Sequence, residues 1–203
     1  NGTRVLYSAG GDCTLLAPNA RTGEPLWRVA VAKAGAKGGI NAAVVRHQEN
    51  LIIIHESENL DSSEIGRMAA LKIPTSITKT NPLIPHVFKT SQLEQWRNEV
   101  GSLASSPVLV EHTLYQVNGT GDLCAIEATT GKVLWKHKLG IEQRQSSPLY
   151  ADGKLYVAVY ISPLGSDKPA NTEAGTTGDL YVIKPGATGC EVLSQATLQG
   201  KCF

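Results

Sequence analysis

No apolar run in the 203-residue sequence approaches the ~20 residues that a membrane-spanning helix needs, and a segment such as Leu51–Ile54 has only the length of a strand. No basic cluster stands out either. Nineteen basic and eighteen acidic residues leave a net charge of +1, without the concentrated Lys and Arg on which a nucleic-acid surface depends. The four cysteines, Cys13, Cys124, Cys190 and Cys202, form no C-x-x-C pair, which argues against a zinc ribbon or a thioredoxin-like motif. Cys190 and Cys202 flank one strand-like segment and could pair; four small apolar residues set in strands is the equal alternative. No signal peptide is recognisable. The sequence opens in strand-like Arg4–Ser8, so any targeting segment is expected to have been removed.

What is abundant points to turns. Hydrophobic residues make up 41% of the chain, enough for a sizeable core, while twenty glycines and ten prolines spread along it break that core into short strands. No 3.6-residue periodicity supports a crossover helix.

The turns recur in register. Leu15, Ala17, Thr22-Gly23 and Trp27 fall on Leu123, Ala125, Thr130-Gly131 and Trp135 without a gap. A third copy runs from Thr177-Gly-Asp to Thr188-Gly189, with Leu193 at the tryptophan position. A degenerate fourth begins at Gly66-Arg67 and resumes at Gln95-Trp96 after a proline-containing insertion from Pro74 to about Leu93. Upstream of the copies, Ser105-Ser-Pro and Ser146-Ser-Pro open apolar segments, and Asp152-Gly153 lies between two such segments as a hairpin turn would. One unit therefore reads as four antiparallel strands, which is a propeller blade. The blades span about 4–34, 40–101, 102–140 and 141–200, the first lacking its innermost strand, with about fifteen strands expected in all.

The pattern Ala-x-(Asp/Asn/Glu)-x-x-Thr-Gly-x-x-x-Trp resembles the tryptophan-docking motif of the PQQ-like (quinoprotein and BamB-type) β-propellers. It is carried by Ala17, Asn19, Thr22, Gly23 and Trp27, and again by Ala125, Glu127, Thr130, Gly131 and Trp135. The resemblance covers residues 1–203 as a single all-β propeller segment. It implies a ring of seven or eight four-stranded blades, of which about four are encoded here, the rest coming from further chain or a second copy. It implies structural docking roles for Trp27, Trp96, Trp135, Gly23 and Gly131, the glycines permitting positive φ and the indoles filling space between blades. It also implies a periplasmic or extracellular location.

Function is not implied by the fold. All three tryptophans fall at docking positions, leaving none to stack on a quinone, and no two cysteines are adjacent, as the vicinal disulfide of the quinoprotein alcohol dehydrogenases would require. No catalytic, cofactor-binding or metal-ligating residue is assigned, and no cofactor is expected in this segment. Two long connections offer a ligand-binding rim instead: His55, Glu56, Glu58, Asp61 and Glu64 in one, Asp167 and Glu173 in the other. The first, rich in carboxylates, would suit a divalent cation or a basic ligand. His55-Glu56 resembles the start of a zincin, but position 59 is Asn where a second His is needed. His47, His86, His112 and His137 show no ligand spacing and are expected at the surface. The resulting expectation is a non-catalytic module for a protein, peptide or saccharide. The alternative is a fragment of a PQQ- and calcium-dependent alcohol or sugar dehydrogenase whose cofactor residues lie elsewhere; a sensor domain of a signalling protein is a third, weaker reading.

Overall fold

The computed structural model describes residues 2–34, 39–141, 145–161 and 177–199. Its strands form four sheets of four strands each. The chain divides into two compact units, Asn1–Ala104 with Ala128–Lys132, and Ser105–Glu127 with Val133–Phe203.

The first unit contains two sheets. One begins with β1 (Ser8–Ala9), β2 (Thr14–Pro18) and β3 (Pro25–Ala30); the other holds β4 (Val45–His47), β5 (Asn50–Glu58), β6 (Ile65–Lys72) and, after β7 (His86–Phe88) and the short helical turn α1 (Thr90–Leu93), β8 (Glu94–Asn98). The second unit contains β9 (Val108–Val110), β10 (Thr113–Val117), β11 (Asp122–Glu127) and β12 (Val133–Lys138), then β13 (Leu149–Ala151), β14 (Lys154–Ile161), β15 (Thr177–Pro185) and β16 (Cys190–Gln199). All neighbours within these sheets are antiparallel except one. The insertion sends β7 back to the free edge of the first sheet, where it runs parallel to β3 with Val87 opposite Arg28. This is a correction to four purely antiparallel blades, and it adds a sixteenth strand to the described residues.

The repeat is visible in the pairing. Ala17 lies opposite Trp27, Ala70 opposite Trp96 and Ala125 opposite Trp135, and a bulge follows each pair. In the last sheet the same bulge puts Val182 opposite Ser194. Leu193 is therefore not at the tryptophan position: it is the extra bulged residue, the counterpart of Leu134, because the final hairpin keeps pairing as far as Pro185 and Cys190. Asp152 and Gly153 both have positive φ, as the two-residue turn between β13 and β14 demands.

Each unit has its own apolar core between its two sheets. In the first, Leu15, Ala17, Trp27 and Val29 pack with Leu51, Ile53, Ala69 and Leu71; in the second, Leu123, Ala125 and Trp135 pack with Leu155, Val157, Val159 and Ile183. Among the described residues no helix is long and apolar enough to cross a membrane.

Candidate functional site

The three tryptophans are buried, each with 9% or less of its surface exposed. Trp96 donates its indole N–H to the Ala128 carbonyl (3.1 Å), and Gly131 lies so close to its ring that a Cβ there would overlap it. Trp135 likewise donates to the Gly186 carbonyl (2.9 Å), at the turn of the next sheet. Trp27 packs edge-on against Phe88 of β7, with ring centroids 6.1 Å apart. Gly23 and Gly131 both sit at φ +74°, the left-handed turn conformation that glycine adopts at no steric cost.

Among the described residues, those expected at the rim do not converge. His55, Glu56 and Glu58 are not in a loop but in β5, and His55 is fully buried. The reason is alternation. Leu51, Ile53, His55, Ser57 and Asn59 share one face, and that face is buried along its whole length. His55 Nδ1 accepts the Ser57 backbone N–H (3.3 Å), while its Nε2 is enclosed without a partner. Burial, assisted by the charge of Arg67, pushes the His55 imidazole down to about 4, so the ring is neutral at neutral pH. Beside it, Cys13 donates its thiol to the Ser57 hydroxyl (3.4 Å). His47, expected at the surface, is buried too. Glu58 pairs with Lys33, and Glu64 accepts the Ser62 hydroxyl. Asp167 and Glu173, like the Cys202 partner suggested for Cys190, lie outside the described residues.

Among the described residues of that group, Asp61 lines a pocket. A cavity of about 260 Å³ is bounded by Val31, Leu60, Asp61, Arg67, Thr90, Ser91, Glu94 and Arg97. Asp61 Oδ1 accepts from Arg67 Nη1 at 2.9 Å, Asp61 Oδ2 pairs with Arg97 Nη1, and Glu94 Oε1 takes Arg97 Nε at 3.3 Å. The hydrogen bond from Arg97, with Arg67 behind it, holds the Asp61 carboxyl below the usual carboxylate range. Both of its oxygens are thus occupied by the chain's own cations, which removes the ground for a divalent cation or basic ligand at this acid. Among the described residues no three His, Cys, Asp or Glu side chains are grouped as a metal would need.

Sequence reasoning missed Arg67, Arg97, Thr90, Ser91 and Glu94. One signal was available. The other copies read Gly121-Asp122 and Gly178-Asp179 where this one reads Gly66-Arg67. Asp122 pairs with Lys138 (3.4 Å), whereas Arg67 reverses the charge and draws its acid from the connecting loop. Thr90 and Ser91 could not have been found locally, since they reach the pocket only through the fold of the insertion, where the Thr90 hydroxyl donates to the Ala30 carbonyl.

Comparison with known proteins completes the description. A family described as outer membrane protein assembly factor BamB matches residues 86–168. A tetrathionate hydrolase of Acidithiobacillus ferrooxidans is 24% identical over 169 residues, covering 78% of this chain and 32% of that protein. Among solved structures, BamB from Moraxella catarrhalis superposes with a TM-score of 0.51 at 17% identity, over 95% of this chain and 57% of that one. Quinohemoprotein alcohol dehydrogenase ADHIIG from Pseudomonas putida HK5 superposes at 0.54 and 14% identity, over 96% of this chain and 32% of that one. The chain therefore spans about a third of the curated relative's length, and the structural likenesses give the fold alone: a β-propeller of four-stranded blades.

Proposed function

We propose, from the premise that the chain belongs to the PQQ-like β-propeller repeat family, that this segment is a non-catalytic binding module whose site is the pocket of the second sheet. The observation that carries this reading is the fate of the aromatic side chains. Trp27, Trp96 and Trp135 are all consumed in packing: each is buried, the Trp96 ring lies against Gly131, and the Trp96 and Trp135 indoles donate to the Ala128 and Gly186 carbonyls. None is left to lie on a quinone ring. The pocket supports it too: its acids and guanidiniums form ion pairs, and the Thr90 hydroxyl is taken by the Ala30 carbonyl. A match to a family named for outer-membrane assembly supports a protein or peptide partner in the periplasm or outside the cell.

The second reading is favoured by the likeness to an alcohol dehydrogenase over nearly the whole chain. In it the segment is part of a PQQ- and calcium-dependent enzyme whose cofactor is held by other residues. The first reading is tested by whether this segment itself takes up the cofactor. The 203-residue chain mixed with PQQ and calcium should give no saturable heat. Micromolar binding accompanied by alcohol oxidation would overturn the binding-module reading.

A further inference from the structure

The pocket contains two like charges that the sheet itself forces together. Ala69 lies opposite Arg97, and Arg67 is two residues from Ala69, so both arginines stand on one face of adjacent strands. Like charges so placed repel unless an anion lies between them. That anion is Asp61, and it does not come from the sheet. It comes from the exposed connection after β5, whose base is fixed where the Asn59 N–H donates to the Glu64 carbonyl (3.0 Å).

We infer that Arg67 and Arg97 form a receptor for a small oxyanion, a carboxylate or a sulfonate, and that Asp61 occupies it as an internal stand-in for the ligand. This rests on the binding-module reading and names the ligand class of that same site. The depths of the three side chains fit such an exchange. Arg67 is mostly enclosed, at 13% exposure, whereas Arg97 and Asp61 are close to half exposed, at 46% and 48%. The deep guanidinium stays in place while the acid at the loop tip can leave into water. Glu94 holds the Arg97 Nε, so the Nη1 that Asp61 now takes is the donor that an incoming oxyanion would receive in exchange. Leu60 and Val31 give the remaining wall an apolar strip, suited to the short carbon chain of an organic acid. At about 260 Å³ the cavity takes a small molecule or a single acidic side chain, not a polymer.

The test uses the full 203-residue chain, calorimetry at low ionic strength, and two ligands, succinate and ethane-1,2-disulfonate. The wild type should bind at least one of them saturably. Asp61→Asn removes the internal competitor, keeps the side-chain shape, and should tighten binding about tenfold, equivalent to ~1.4 kcal/mol. Arg97→Gln should abolish binding on either background. Which ligand binds tells the carboxylate from the sulfonate. Binding that Asp61→Asn leaves unchanged, or that survives Arg97→Gln, overturns the inference. The Asp61→Asn arm reads a gain, so misfolding cannot imitate the expected result. Silence from both oxyanions together with silence from PQQ and calcium sinks this inference and leaves the binding-module reading standing. Saturable PQQ binding with oxidation sinks the binding-module reading and, with it, this inference.

Discussion

At the scale of the residue, His55 shows how burial outweighs a polar neighbourhood. Glu56 and Glu58 flank it in sequence, but on a strand those neighbours point to the opposite face. The imidazole is left with the core of the first unit on one side and an unpartnered Nε2 within it. Its pKa falls from 6.5 in the unfolded chain to about 4 in the folded one. The unfolded state therefore binds the extra proton first as pH drops. Stability is unaffected well above pH 6.5, declines as pH falls through it, and reaches its full loss of ~3 kcal/mol below about pH 4. Asp61 and Asp122, both held below their ordinary 3.8, act in a different window: they contribute stability above that value and lose it only at lower pH. Between pH 7 and 5 the neutral His55 contributes a slope to urea-unfolding stability, and His55→Gln should reduce it. An equal slope in wild type and variant would mean that the ring is not held neutral. The acids around His55 were legible in the sequence, whereas its burial was not. The apolar run ends at Ile54, so composition marks the next residues as loop although the strand continues to Glu58.

At the scale of the element, the turns were legible because the backbone alone dictates them. In the two copies that end in tryptophan the Thr-Gly glycine is left-handed, with Gly23 and Gly131 at the same φ, whereas Gly189 of the third copy is not. Their surroundings differ, which gives a paired prediction. Nothing lies within 4 Å of a Cβ placed on Gly23, while one on Gly131 meets the Trp96 ring. Gly23→Ala should cost only the left-handed strain, ~1–2 kcal/mol. Gly131→Ala should cost a further ~1–3 kcal/mol from displaced packing, read as a lower urea midpoint. Equal losses would show that Trp96 does not rest on this turn. Trp135→Ala should cost ~3–5 kcal/mol in the same assay, and an unchanged midpoint would remove its docking role. The strand β7 was not legible. It is three residues long, lies in a proline-containing insertion, and pairs with a strand near position 28 from position 87, so no local pattern encodes it. What holds it is distant in sequence: Lys79 Nζ donates to Glu24 Oε1 (2.9 Å) and to the Pro25 carbonyl (2.6 Å), and Phe88 meets Trp27. The pocket shares that illegibility, because α1 and β8 supply half of its wall from the far side of the insertion.

At the scale of the whole molecule, the repeat makes each sheet a layer with two apolar faces, and equivalent positions can be compared between layers. Leu51 and Leu155 occupy the same place in the second and fourth sheets, and each is buried in the core of its unit, with 1% and 0% exposed. Leu6, which donates its backbone N–H to the Pro18 carbonyl, is their counterpart in the first sheet, and it is 55% exposed. The last sheet shows the converse. Leu180 and Val182 are equivalent to Leu123 and Ala125, which the fourth sheet covers completely, yet both are only half-buried. The tryptophan position there holds Ser194, so this face also lacks the anchor that the other sheets have. Apolar surface of this kind associates when another surface fits it, and here each face matches the partner that its counterpart already has within the chain. We expect the 203-residue, 21.6 kDa chain to self-associate in a concentration-dependent manner, through contact between the first sheet of one copy and the last sheet of another. Light scattering should return a mass well above the monomer, and either Leu6→Lys or Leu180→Lys should lower it without altering the circular dichroism of the sheets. A soluble monomer at every concentration, with those two leucines indifferent to substitution, would mean that the exposed faces are not docking faces at all.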